Sequence, residues 1–139
     1  LAEAKAGTLK PENVTGDNPS WTWTAGQGIS TLEDLTTWVT ALGSGSLLSP
    51  ELQQERVDSL QAPNPSISDA PKYGYGMASF ATYLGHTGEM PGYNSFMGYD
   101  PESKVSIVVW ANLAPSADGQ AVATTAARRI IGAIAGGGS

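Results

Sequence analysis

From Thr31 to Leu42 the apolar residues Leu32, Leu35, Val39 and Leu42 recur at three- and four-residue steps, which places them on one stripe of an α-helix. Ser30 with Glu33 three residues on is a capping-box pattern, and Gly43 is the expected stop. Ser49-Pro50 puts a cap residue before a proline at the first helical position, so a second helix is predicted over about Pro50 to Leu60, with Leu52, Val57 and Leu60 as a modest stripe. The prolines at 63, 65 and 71 make Gln61 to Lys72 a loop. From Tyr73 the period changes to two, with Tyr73, Tyr75 and Met77 on one face and Gly74, Gly76 and Ala78 on the other, which predicts a strand. Three more strands are predicted at Thr82 to Thr87, Asn94 to Tyr99 and Lys104 to Ala111. The chain turns through Met90 and Pro91, and again at Asp100-Pro101-Glu102-Ser103. Val122, Ala126, Ile130 and Ile134 then predict a last helix over Asp118 to Ala135, with Arg128 and Arg129 near its end. The order of elements implies an α+β fold: an antiparallel meander flanked by helices.

A length of 139 residues suits one folded unit. Residues 1–17 show no period and read as an extended lead-in, 18–135 as the folded part, and 136–139 as a glycine-rich tail that is native or a linker. With 13 acidic against 7 basic residues the formal charge is -6, and no basic cluster exceeds the pair Arg128 and Arg129. Nucleic acid and anionic membrane surfaces are poor partners for such a chain. The absence of cysteine removes disulfide, thiolate-metal and cysteine-nucleophile chemistry, and a lone histidine leaves no metal-ligand spacing, so no cofactor or metal is expected. No run reaches the length of a membrane span, and Leu1 to Lys10 lack the layout of a secretory signal. A start without methionine suggests a processed or truncated piece.

Candidate chemistry concentrates in Tyr83-Leu84-Gly85-His86-Thr87-Gly88-Glu89-Met90-Pro91-Gly92-Tyr93-Asn94. Around it, in order, stand Asn18-Pro19-Ser20, Ala25-Gly26, the Ser30 to Leu42 helix, Leu47-Leu48-Ser49-Pro50, Tyr73-Gly74-Tyr75-Gly76 and Val108-Val109-Trp110-Ala111-Asn112. This ordered set resembles the carboxy-terminal part of the serine β-lactamases of the class C type, the D-alanyl-D-alanine carboxypeptidases and related esterases, with His86-Thr87-Gly88 as their third active-site motif. The resemblance covers about Asn18 to Ile134 and implies part of a β-lactamase/transpeptidase-like fold. It also implies an oxyanion hole in which one donor is the nucleophile's own amide and the other is the backbone NH of Glu89. Each such donor contributes ~3 to 4 kcal/mol to the developing charge. By the same resemblance His86 and Thr87 belong to the catalytic strand, and Thr87, Gly88 and Tyr93 are candidate substrate contacts. Thr87 offers a hydroxyl for a substrate carboxylate or a proton network, and His86 stands where many relatives have lysine. Tyr73, Tyr75 and Tyr93 also suit plain sheet packing, and Trp21 and Trp23 suit packing or an exposed patch.

The family's nucleophile sits in Ser-x-x-Lys, but Ala2, Gly7, Asp69 and Pro101 precede the four lysines by three residues. Tyr-x-Asn and Gly-x-Ser-x-Gly are missing as well. The expectation is therefore a carboxy-terminal fragment of a penicillin-recognising serine hydrolase, inactive alone, whose partner is the N-terminal remainder of the same protein. Its substrate would be a peptidoglycan-like peptide, a β-lactam or an ester, and its parent would be exported to the periplasm, cell wall or medium. An open sheet edge would favour self-association. The alternatives are a non-catalytic binding or structural module with the same partial fold, and a small acidic interaction domain.

Overall fold

The helix expected after Ser30 forms, but its cap lies one residue on. Thr31 is extended and its hydroxyl accepts from the Asp34 amide at 3.0 Å, while the Ser30 hydroxyl donates to the Thr31 carbonyl instead. The computed structural model describes residues 2–8, 10, 12–63, 66 and 70–136. In chain order these form α1 (Ala2–Ala6), a 3-10 turn (Pro19–Thr22), α2 (Trp23–Gly26), α3 (Leu32–Ser44), α4 (Pro50–Asp58), β1 (Lys72–Gly74), β2 (Met77–Phe80), β3 (Tyr83–Met90), β4 (Tyr93–Tyr99), β5 (Ser106–Ala111) and α5 (Val122–Gly136). The architecture is the α+β meander expected, one antiparallel sheet in the order β1-β2-β3-β4-β5.

Side-chain alternation divides the sheet between two helices. Ala78, Phe80, Tyr83, Phe96 and Ile107 face α5 and form a buried cluster with its Ala123 and Ala127. On the other face α3 lies across β3, β4 and β5, and the hydroxyls of Thr40 and Ser106 bond across that interface at 2.8 Å. Gly43 does not stop α3, because the left-handed residue at the end is Gly45 (φ 80). Gly43 is instead buried inside the helix, where a β-carbon would lie 2.6 Å from Cδ1 of Tyr99. Glycine there lets the helix backbone settle onto the Tyr99 ring.

Four other expectations are corrected. The period-two stretch from Tyr73 to Ala78 is a hairpin, not one strand, because Gly76 (φ 68) turns the chain and Gly74 pairs with Met77. Tyr73 and Met77 therefore do not share a face by simple alternation. The lead-in contains the short helix α1, and directly after the lead-in comes the Pro19–Thr22 turn, whose cap Asn18 accepts from the Ser20 amide at 2.9 Å. The last helix begins at Val122, not Asp118. Gln120 N donates to the Ser116 hydroxyl at 3.0 Å and Gly119 N to the Ser116 carbonyl at 2.8 Å, so these residues are held in a turn. Arg128 and Arg129 consequently sit in mid-helix, without a role at its end.

The Asp100 to Ser103 turn forms as expected, with Asp100 accepting from the Glu102 and Ser103 amides at 3.2 and 3.4 Å and from the Ser103 hydroxyl at 2.6 Å. Of the expected loop at 61–72, residues 64, 65 and 67–69 lie outside the described ones, as do residues 137–139 of the tail; Gly136 ends α5. No helix among the described residues is long and apolar enough to cross a membrane.

Candidate active site

β3 is an interior strand along its first half and an edge along its second. β4 pairs with it from Leu84 to Met90, but β2 pairs only with Tyr83, Leu84 and Gly85. Beyond Gly85 the side facing β2 has no ladder partner among the described residues. An open groove of ≈ 470 Å³ lies there, lined among others by Lys72 and Tyr73 of β1, His86, Thr87 and Glu89 of β3, Asn94 of β4, and Thr124 and Arg128 of α5. Alternation sends Thr87 and Glu89 to the α5 face and His86 to the α3 face, so the groove wraps around the strand edge.

The imidazole of His86 is fixed by two contacts. Its Nδ1 bonds the Thr87 carbonyl, which can only accept, so Nδ1 carries the hydrogen. In the neutral ring Nε2 is then the acceptor, and it takes the Tyr73 hydroxyl at 3.1 Å. The two rings meet edge to face, with centroids 5.6 Å apart and planes at 72°. Tyr73 is thus drawn to the site, while Tyr75 stays 65% exposed on its hairpin turn.

Asn94 is buried, and its amide joins three elements. Oδ1 accepts from the amides of Ala123 and Thr124 at 2.8 and 3.2 Å, and Nδ2 donates to the Gly88 carbonyl at 2.9 Å. Ala123 and Thr124 are the second and third residues of α5, the amides that a side-chain cap satisfies. A strand residue therefore caps the last helix and reaches the strand that carries the His86-Thr87-Gly88 tripeptide.

The structure brings His86, Thr87 and Glu89 together on the groove. It does not bring Tyr93 there: that residue is half-exposed at the tip of the β3–β4 hairpin, beside the Pro91-Gly92 turn (Gly92 φ 83). Gly88 contributes its carbonyl to Asn94 and does not line the groove. Trp21 and Trp23 are 65% and 71% exposed and lie apart from it. Lys72, Asn94, Thr124 and Arg128 are lining residues that sequence reasoning missed. The four-residue step from Thr124 to Arg128 put them on one helix face, but nothing local marked that face as the one turned to the site.

A family model described as Beta-lactamase matches residues 2–130. Among solved structures, D-amino acid amidase from Ochrobactrum anthropi SV3, complexed with D-phenylalanine, is similar with a TM-score of 0.58 at 24% identity. That match covers 75% of this chain and 36% of the amidase chain, so the described fold corresponds to little more than a third of the amidase. No curated protein matches the chain.

Proposed function

The chain belongs to the beta-lactamase family, and from that premise we propose that it is the carboxy-terminal part of a penicillin-recognising serine hydrolase. In this reading it supplies the His86-Thr87-Gly88 strand and one oxyanion-hole donor, the backbone NH of Glu89. The nucleophilic serine and its lysine come from an upstream segment, since Ser-x-x-Lys does not occur within residues 1–139. Such a parent would be exported, like relatives of this type.

The observation that carries the proposal is the uncovered edge of β3 beside the groove. A two-residue loop makes its flanking pair, here Met90 and Tyr93, exchange backbone hydrogen bonds. In an antiparallel ladder exchanging and non-exchanging pairs alternate, so Gly88 and Ser95 exchange next and Glu89 falls between. The Glu89 N–H then points away from β4, toward the uncovered side. An acyl-transfer reaction needs such a donor, fixed before charge develops on the substrate oxygen.

The remaining groove residues fit the same reading. Thr87 offers a hydroxyl, and Lys72 and Arg128 line the groove with it, a combination suited to a carboxylate-bearing acyl substrate such as a β-lactam, a peptidoglycan-like peptide or a D-amino acid derivative. His86, fixed between the Thr87 carbonyl and the Tyr73 hydroxyl, serves as a hydrogen-bonding relay on the flank of the reacting carbonyl.

The test compares residues 1–139 alone with the gene product that includes an upstream Ser-x-x-Lys. The isolated chain is expected to give no labelling by fluorescent penicillin and no turnover of a chromogenic cephalosporin or short-chain ester, because no acyl-enzyme can form without an activated serine. Adding the upstream segment restores activity, and replacing its serine abolishes it again. Penicillin labelling at a serine within residues 1–139, with Ser20 and Ser95 the first to inspect, would end the proposal.

A further inference from the structure

The Gly88 carbonyl and the Glu89 N–H are the two ends of one peptide group. In a trans peptide they point in opposite directions, so whatever holds the oxygen also aims the hydrogen. Beside the ladder bond from Ser95, the Asn94 side-chain amide holds that oxygen at 2.9 Å. We propose that Asn94 is a positioning residue that locks the Gly88-Glu89 peptide with its N–H toward the groove, and that α5 is the support which keeps Asn94 in register. The inference rests on the reading of Glu89 as an oxyanion donor and names the device that would hold it ready.

The amide orientation follows from its partners. Ala123 and Thr124 present backbone N–H groups, which only an oxygen can accept, so the oxygen of Asn94 faces α5 and its nitrogen must face the Gly88 carbonyl. A side chain anchored by two donors and buried between a sheet and a helix end has little freedom to turn. Rotating the Gly88-Glu89 peptide would leave the Asn94 Nδ2 without its acceptor inside the protein, and such a buried orphan is costly. Backbone alternation already favours one direction for this peptide, yet it lies one pair from the hairpin tip, where β2 no longer supports the strand. That is where a side-chain clamp has most effect.

Capping and clamping can be separated by substitution. Asn94→Asp keeps an oxygen on the α5 amides, where a carboxylate also suits the helix dipole, but replaces the donor to Gly88 by a second acceptor. In the gene product that contains these residues, the substitution is expected to lower kcat about 100-fold at neutral pH, the loss usual for one oxyanion donor, with KM little changed. Lowering the pH protonates the new carboxyl, returns a donor to Gly88 and recovers part of the lost kcat relative to the unsubstituted enzyme. Independently of turnover, the order parameter of the Glu89 N–H is expected to fall from about 0.85 to below about 0.6 while those of Phe96 and Ile107 hold. Asn94→Ala, which removes both contacts, should show the same change at Glu89 together with fraying of the first turn of α5. An unchanged order parameter and N–H direction at Glu89 in Asn94→Asp overturns the clamp, whatever the activity. An unsubstituted gene product that turns over no ester, amide or β-lactam instead defeats the proposed function, and the Glu89 measurement still decides for or against the clamp.

Discussion

The N-termini of α3 and α5 solve one problem with opposite means. Each helix begins with amides that have no intrahelical acceptor. At α3 the acceptor is Thr31, three residues from the Asp34 amide it serves. At α5 it is Asn94, 29 and 30 residues from the amides of Ala123 and Thr124. The first cap forms as soon as the local chain turns and needs no tertiary structure. The second exists only once β4 and α5 have met, so it reports on the packed sheet and ties a helix to the candidate site.

The sharpest way to break this contrast is Asn94→Ala. It leaves one buried and one part-buried amide and a carbonyl without their side-chain partner, and about 2 to 3 kcal/mol of stability should be lost, read from the urea midpoint. A loss under half a kcal/mol would mean that the α5 amides find other acceptors easily. Thr31→Ala removes a solvent-exposed cap and should cost about 1 kcal/mol, with helical signal lost at α3 alone. If both substitutions cost the same, the distinction between a local and a tertiary cap has no energetic content.

The smallest effect belongs to Asp100, which caps its turn locally but can be titrated. The Ser103 hydroxyl beside it, with the Glu102 and Ser103 amides, holds its carboxyl below the usual carboxylate range against the opposing cost of burial. Because the folded pKa is depressed, the unfolded chain takes up the proton first as pH falls. The contribution is present above the ordinary value and drains away as pH drops through the folded one, so the window lies below about pH 4. Melting temperatures of the parent and of Asp100→Asn should converge on going from pH 5 to pH 3. A gap that stays constant over that range would show that the carboxylate has no special standing.

The sequence showed most where its signals were short in range. The stripe Leu32, Leu35, Val39 and Leu42, the Ser49-Pro50 start, the Asp100 turn and the β-branched run of β5 all act within a few residues and all produced their elements. Misreadings came where two local signals competed. Ser30-Glu33 fits a capping box, yet the neighbouring Thr31 hydroxyl took the cap. Tyr73 to Ala78 has perfect alternation, yet Gly76 had the freedom to reverse the chain in its middle. At the candidate site, the tripeptide His86-Thr87-Gly88 pointed to a strand that borders the groove, but Asn94, Lys72 and Arg128 are joined to it only through the fold. No spacing rule links a strand residue to a helix start 29 positions away. The Ser116-centred turn adds to this, since it displaces the start of α5 to the residues that Asn94 can reach.

β3 changes character halfway along, flanked on both sides as far as Gly85 and on one side after it. The strand works as a cantilever: its root is held from both sides, and its outer half, held by β4 alone, borders the groove. A cantilever is stiffest near its root and deflects most near its tip, and the candidate residues run outward along it from His86 to Glu89. Small changes at the root, around Tyr83 to Gly85, would therefore move the outer half more than they move the core, so that residues outside the groove share control of where His86 to Glu89 stand along it.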